Sequence, residues 1–375
     1  MIILKVCLLM CIINRTLSLA IDSKVNIIGA GPTSLTLALA LNKLGINNIN
    51  IYERREELVF DINQAFLYLI DGRGIKILKE LDLLDSIKTN AVSSYEFKNL
   101  TEIKANNEIN ILKLPTLDNN STEKFWIPRH QFINTLYQKV LEKPTINIHF
   151  NKKVEDIHYD NELKIETSES SLITYPSDYI FACDGVNSQI RNILVNKFTG
   201  TDKKRFDLVT YKSPSTGLRF KILPLLADFK YTNNQNETIT SNSTTAYAIR
   251  SSSQKANQRL SLGLLPFTKL ERRTANIIVK KDHEIWKLKG YDDHLNFFTK
   301  SFPQLKIINN FINKSDLENF SVSQGGVFPN IQYAKSLFKK FPNRKGIALF
   351  GIIIIIIIII IIFFIIYHHY YYRYY

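Results

Sequence analysis

Apolar residues recur along this chain with two periods, and the changes of period mark its elements. Val25 to Ile28 is a short, mostly apolar, β-branched run of the kind a buried parallel strand needs. Gly29-Ala30-Gly31 follows at once. From about Thr33 to Leu44 the chain is apolar nearly all round, which predicts a helix covered on several sides. Pro32 suits the first turn of that helix, where its missing N–H would be unpaired anyway, and Gly45 suits the left-handed residue that closes it. Ile46 to Tyr52 predicts a second strand ending at Glu53.

Further along, Ile75, Ile77, Leu78, Leu81 and Leu84 predict a helix beginning near Arg73-Gly74. Residues 91–128 alternate irregularly and predict strands of an inserted subdomain joined by loops. Phe132, Ile133, Leu136, Tyr137, Val140 and Leu141 fall at helical spacing, with Arg129 just before them. Val154 to Tyr159, Leu163 to Thr167, Leu172 to Tyr175 and Tyr179 to Cys183 predict the short strands of a meander. From Phe206 to Phe341 the character changes: 218–226, 244–251 and 260–267 read as strands, and Asp292 to Phe302 as a helix. The fold class expected is α/β, a Rossmann-like dinucleotide-binding domain with a β-meander and a mixed-sheet substrate domain, the C-terminal part being absent. The domain expectation is a targeting segment at 1–20, the cofactor domain with its insert at 21–200, the substrate domain at 201–342, a return strand at 343–351 and an aberrant tail at 352–375.

Composition changes this picture little. The net charge of +14 invites an anionic partner. The chain is rich in Lys, Asn, Ile, Tyr and Phe, however, which AT-rich codons alone would produce, and no dense basic cluster interleaves with aromatics. Nucleic acid is therefore not expected as a partner. Of the three cysteines only Cys183 lies in the body of the chain, so no disulfide framework or cysteine metal site is expected there, and Cys183 reads as a core residue. No metal site is expected, and no catalytic side chain is named. His283 and His294 are isolated and read as surface residues.

The termini carry their own expectations. Residues 1–20 are apolar with one early lysine, and Ser18 and Ala20 fit a signal-peptidase cut. They read as a targeting segment, pointing to the secretory pathway, an organelle or a membrane; an uncleaved anchor or wrongly included upstream sequence are the alternatives. At the other end 347–366 is uncharged and long enough for a membrane span, and 352–362 is unbroken isoleucine. A C-terminal anchor is one reading. The other, which we favour, is a reading frame running into repeat DNA, since Ile and Tyr are what an ATT/TAT repeat encodes. Membrane association through either terminus follows from these readings. Oligomeric state does not show.

The chemistry concentrates at the first βαβ unit. Glu53 stands 22 positions after Gly31. That spacing fits a dinucleotide seat, with pyrophosphate on the helix N-terminus and the acid on a ribose hydroxyl. Ser34 stands where the third glycine of the fingerprint belongs, and is small enough to be tolerated there. The alternative is a Rossmann-like fold whose site is dead. A second arrangement, Asp184-Gly185 through Ser188, follows the strand ending at Cys183. It reads either as a ligand-facing strand end or as a turn with a helix cap.

Together these segments resemble the FAD-dependent aromatic-ring monooxygenases, and within them the kynurenine 3-monooxygenase-like branch. The resemblance rests on GAGPTSLTLA at 29–38 with IYERRE at 51–56, the Arg129 helix, IFACDGVNSQIR at 180–191 and NRKGIALFG at 343–351. It implies that Gly29, Gly31 and Ser34 hold the FAD pyrophosphate turn, with Glu53 on the adenosine ribose and Arg54 beside it. It implies further that Arg129 faces the cofactor's phosphates, and that Asp184 and Gly185 serve FAD and NAD(P)H. The implied reaction is hydroxylation of a small aromatic substrate, with NAD(P)H as co-substrate and O₂ added at the flavin C4a as a hydroperoxide. The Gly-Arg segment that this branch uses near its substrate carboxylate is not visible between 91 and 128. The last motif should also continue from Gly351 into Asp-Ala-Ala-His, where this chain has Ile352. Weak or absent FAD binding is expected on that account. A non-catalytic remnant, or epoxidation or halogenation on the same scaffold, are the competing readings.

Overall fold

Val25 and Ile27 alternate with Asn26 and Ile28, and both faces of this short run are covered. In the computed structural model, Lys24–Ile28 is an inner strand of a six-stranded sheet. The structure describes residues 21–350 apart from 59–66, 97–98, 114–122, 160–163, 169–172, 203, 256, 268–272, 306 and 342–344. The expected targeting segment and the isoleucine run lie outside the described residues. Among those described, no helix is long and apolar enough to cross a membrane.

The sheet runs in the order Phe338–Lys340, Gly346–Leu349, Tyr179–Ala182, Lys24–Ile28, Asn48–Tyr52 and Ile146–His149. All neighbours are parallel except the first pair. The period of two along its strands decides which layer each side chain joins. Tyr179 and Phe181 pack with Leu35, Leu39, Leu136 and Val140 of the helices Pro32–Lys43 and Arg129–Leu141. Ile180 and Ala182 point the other way, to Val154, Ile157 and Ile165 of a three-stranded antiparallel meander and to Leu194 of the helix Gln189–Lys197. Each fully buried aliphatic side chain contributes about 1.5–3 kcal/mol, so this two-sided cover is the main force holding the parallel sheet. Asn26, the polar residue in the central strand, bonds sideways through its amide group: Nδ2 donates to Pro176 O at 3.2 Å and Ser177 Oγ at 2.5 Å, while the buried Oδ1 has no partner among the described residues.

The meander strands Lys153–His158, Lys164–Ser168 and Ile173–Pro176 fall within a residue of where the alternation places them, but the fourth expected there, Tyr179–Ala182, instead pairs in parallel inside the six-stranded sheet. The helix Arg129–Leu141 starts one residue earlier than expected, so that Arg129 is its first residue. The hairpin Asn99–Ile103 with Ile109–Lys113 lies at the edge of a second, seven-stranded sheet, where Asn99–Ile103 runs parallel to Ala246–Arg250. That sheet continues through Ser261–Leu264, Arg273–Val279, Arg219–Leu225 and Gly326–Val327, all antiparallel. One face packs on the helices Gly290–Ser301 and Lys314–Val322 through Phe297, Phe298, Phe302, Leu317 and Phe320. The other face gives Leu100, Ala246 and Ala248 to a seam with Leu67, Leu69, Val92 and Trp126 of a small sheet, ordered Leu67–Ile70, Phe125–Pro128, Val92–Ser93.

The expectation for the isolated histidines also fails. His283 and His294 are 2% and 1% exposed, not surface residues. His283 Nδ1 accepts from Ile285 N at 3.1 Å and caps the short turn Glu284–Trp286, leaving Nε2–H to donate to Arg259 O at 3.1 Å. His294 lies on the inward face of its helix with Phe297, Phe298 and Ser301, at helical spacing, and its Nδ1–H donates to Gly290 O at 2.7 Å.

Candidate cofactor site

Four parallel strands of the first sheet end level. Ile28 lies opposite both Tyr52 and Ala182, and Ala182 opposite Leu349. The residues leaving this rim are therefore Gly29, Glu53, Cys183 and Phe350, and backbone bonds fix each to its neighbour. Gly29 N donates to Tyr52 O at 2.8 Å, Glu53 N to His149 O at 2.9 Å, Cys183 N to Ile28 O at 2.9 Å and Phe350 N to Ala182 O at 2.7 Å. Ligands of open α/β sheets bind outside such carboxyl ends.

At the rim the two glycine-bearing motifs meet. Gly29 has φ of +93° and approaches the second motif so closely that a Cβ there would lie 2.9 Å from Cys183 O and 3.3 Å from Asp184 Cα. Only glycine fits both the backbone conformation and the gap. Gly31 is different in kind: a Cβ there would meet nothing within 4 Å. Its lack of a side chain leaves open space at the N-terminus of Pro32–Lys43, where no side chain caps the first turn. Backbone N–H groups facing open space at a helix start are a seat for an anion such as a pyrophosphate. Ser34 is fully buried next to the Cys183 thiol, so a small residue at this position lets the helix lie against the end of the neighbouring strand. Burial pushes the Cys183 thiol far up, with the Ser34 hydroxyl opposing it, so this cysteine is an inert core group.

Glu53 is 5% exposed and turns its carboxylate back into the glycine loop. Its Oε2 accepts from Ala30 N at 2.8 Å, and its Oε1 from Arg55 N at 3.0 Å and Arg55 Nε at 2.9 Å. Burial pushes the Glu53 carboxyl up, but the Arg55 guanidinium and the Ala30 and Arg55 amides outweigh it and hold the carboxyl below its ordinary range. The arginine paired with Glu53 is thus Arg55, while Arg54 is exposed. Which of two adjacent arginines folds back is not readable from spacing, because the chain bends over 54–57 as it leaves the strand.

Asp184 and Gly185 begin the turn into Gln189–Lys197. Asp184 Oδ1 accepts from Ser188 Oγ at 2.6 Å and Oδ2 from Ile190 N at 3.1 Å, and Ser188 Oγ accepts from Arg191 N at 3.0 Å. Gly185 has φ of +98°. The strand-end acid and the helix cap are therefore one device. A residue missed by sequence reasoning closes it from outside: Gln332 Nε2 donates to Val186 O at 2.7 Å, from the two-stranded ribbon Leu208–Tyr211 with Ile331–Ala334. Arg129 opens the helix Arg129–Leu141. Its guanidinium lies against the Tyr68 hydroxyl, which burial raises while the Arg129 charge and hydrogen bond oppose it. No group of three or more potential metal ligands occurs among the described residues.

Comparison with known proteins agrees with this geometry. The FAD binding domain family matches residues 22–289, and the chain belongs to that family. Among curated relatives it is similar to an FAD-dependent monooxygenase, olcE, of Penicillium canescens, 29% identical over 177 residues, which are 45% of this chain and 35% of that protein. It is also similar to a 3-(3-hydroxy-phenyl)propionate/3-hydroxycinnamic acid hydroxylase of Burkholderia cenocepacia (strain HI2424), 24% identical over 187 residues, 48% of this chain and 32% of that one. The matched region spans about a third of each of these relatives. Among solved structures, the p-nitrophenol 4-monooxygenase PnpA of Pseudomonas putida DLL-E4 superposes with a TM-score of 0.56 at 17% identity, over 88% of this chain and 72% of that one. A 2-methyl-3-hydroxypyridine-5-carboxylic acid oxygenase gives 0.54 at 14%, over 88% and 75%. These likenesses establish the shared fold.

Proposed function

We propose that this chain is an FAD-dependent monooxygenase that hydroxylates a small aromatic substrate, with NAD(P)H as reductant. The observation carrying the reading is the contact of Gly29 with Cys183 and Asp184, which joins two motifs about 150 residues apart into one rim. The residues suit the group. Gly31 and the uncapped helix start would hold the pyrophosphate, Glu53 the adenosine ribose, and Asp184-Gly185 the wall on the flavin side. Bound FAD supplies the oxygen chemistry, and the protein's part is to bind, orient and exclude water. Arg129, turned to Tyr68, is proposed to steady the wall of the small sheet and not to touch phosphate directly. The name of the Burkholderia hydroxylase supports an aromatic substrate; the kynurenine 3-monooxygenase-like assignment rests on the motifs alone. Targeting to the secretory pathway, an organelle or a membrane is proposed on residues 1–20, and fractionation of tagged full-length protein tests it.

The test is a titration of the purified full chain with FAD and with ADP, followed by turnover under ¹⁸O₂. Saturable binding of FAD that ADP displaces, and a product carrying one labelled oxygen, are the expected results. No binding of either nucleotide ends the reading. Binding without NAD(P)H oxidation favours the non-catalytic alternative, and a labelled epoxide or a halogenated product the other flavin reactions.

A further inference from the structure

Glu53 is the acid expected on the ribose, yet its carboxylate is already filled. A carboxylate offers about four lone-pair directions. Here Oε1 takes Arg55 N and Arg55 Nε, and Oε2 takes Ala30 N and, at 3.4 Å, Arg55 Nη2. The two backbone donors cannot withdraw, because the segment is bolted to the neighbouring strand. Glu53 N donates to His149 O at 2.9 Å, Lys152 N to Glu53 O at 2.9 Å and Asn151 N to Arg55 O at 3.0 Å. The guanidinium can withdraw, since the Arg55 side chain is 40% exposed while that of Glu53 is 6% exposed. A ribose diol offering two hydroxyl donors would need the two positions that Arg55 now occupies.

We propose that Arg55 is an intramolecular stand-in for the ribose, a latch on Glu53 that an adenosine nucleotide must displace. This rests on the reading of the rim as a nucleotide seat. In the free protein the latch keeps a buried carboxylate paired and ready in position. On binding, the diol replaces the fork and Arg55 swings to solvent. The apparent affinity for adenosine is then the intrinsic affinity reduced by the fraction of molecules with the latch open. A part-exposed ion pair is weak, so that reduction is modest, about two- to fivefold.

Adenosine is the probe, because it carries the ribose without the phosphates and is itself uncharged. Competition against FAD gives its affinity for the full chain. Arg55→Met should bind adenosine about two- to fivefold more tightly than wild type. Salt adds a second readout. Raising NaCl from about 0.05 to about 0.5 M screens the latch and not the ligand, so wild type should gain affinity while Arg55→Met stays flat. Arg55→Lys, which keeps the charge without the fork, should fall between them. Weaker adenosine binding by Arg55→Met, or a salt response equal to that of wild type, would overturn the latch and make Arg55 a mere brace for Glu53. If wild type itself takes up neither adenosine nor FAD, the nucleotide reading fails together with the latch.

Discussion

The two sheets bury their charges in opposite ways. At the rim of the first, each acid sits at a strand end where backbone donors converge: Glu53 on Ala30 N and Arg55 N, Asp184 on Ile190 N. Such positions lie beside open space, and part of the pairing can be exchanged for a ligand. In the second sheet the buried charges are cations held within strands by carbonyls and rings. Arg273 is 1% exposed; its Nη1 donates to Asn242 O at 3.0 Å and its Nη2 to the carbonyls of Thr245 and Leu265. Its guanidinium carbon stands 4.8 Å from the centre of the Tyr247 ring, with Phe229 and Phe267 further out. Nothing in that arrangement is exchangeable. The rim is built to swap partners, and the second sheet's cations are built to stay.

The sharpest way to break this comparison is at Arg273. Truncation to alanine leaves a cavity among three aromatic rings and strips three carbonyls of their donor. The expected cost is about 3–5 kcal/mol in urea unfolding. A loss below about 1 kcal/mol would mean the cation is idle, and the contrast between the sheets would collapse.

The two glycines of the loop divide fold from function. Gly29→Ala forces an L side chain into φ of +93° against Cys183 O, and should cost about 1–3 kcal/mol of stability. Gly31→Ala should leave thermal unfolding unchanged and weaken FAD about tenfold or more, because its methyl enters only the space the pyrophosphate would use. Equal melting points for the two variants would show that the rim does not depend on the close approach of its motifs.

Much of the first sheet was legible because its signals are local. A strand, a positive-φ glycine, a Pro-started helix and a closing Gly45 lie within about thirty residues, and each follows from one residue's covalent geometry. The meander was legible through the alternation of Ile157 and Ile165 with polar neighbours. The hairpin 99–113 was misplaced because its partner strand, Ala246–Arg250, is about 145 residues away, and no local pattern encodes a parallel pairing across that span. His294 was misread because an isolated histidine was judged by type, although its spacing from Phe297, Phe298 and Ser301 put it on the inward face. At the site, the residues themselves stood out, but their engagements did not. Which arginine takes Glu53, and that Arg129 turns to Tyr68, depend on side-chain paths that spacing leaves open.

The smallest effect separates the two kinds of buried charge by pH. Lys221, 4% exposed on Arg219–Leu225, lies 4.3 Å from the centre of the Phe320 ring. Burial, assisted by the Arg219 charge, pulls its pKa from 10.5 down to about 8. His294 meets the same ring edge-on, its centroid 5.6 Å away, and burial, partly opposed by its bond to Gly290 O, holds it neutral to lower pH. The unfolded chain keeps its Lys221 proton up to about 10.5, whereas the folded one releases it near 8. Between those values the unfolded state binds more protons, so stability should rise with pH through this window, by on the order of 1–2 kcal/mol. Below pH 8 both states are protonated and the folded one carries the whole burial cost. Lys221→Met should therefore be more stable than wild type by a similar amount at neutral pH, and the difference should shrink toward pH 10. Urea midpoints across that range decide it. A constant gap would place the ammonium in water, and leave Arg273 as the second sheet's sole buried cation among the described residues considered.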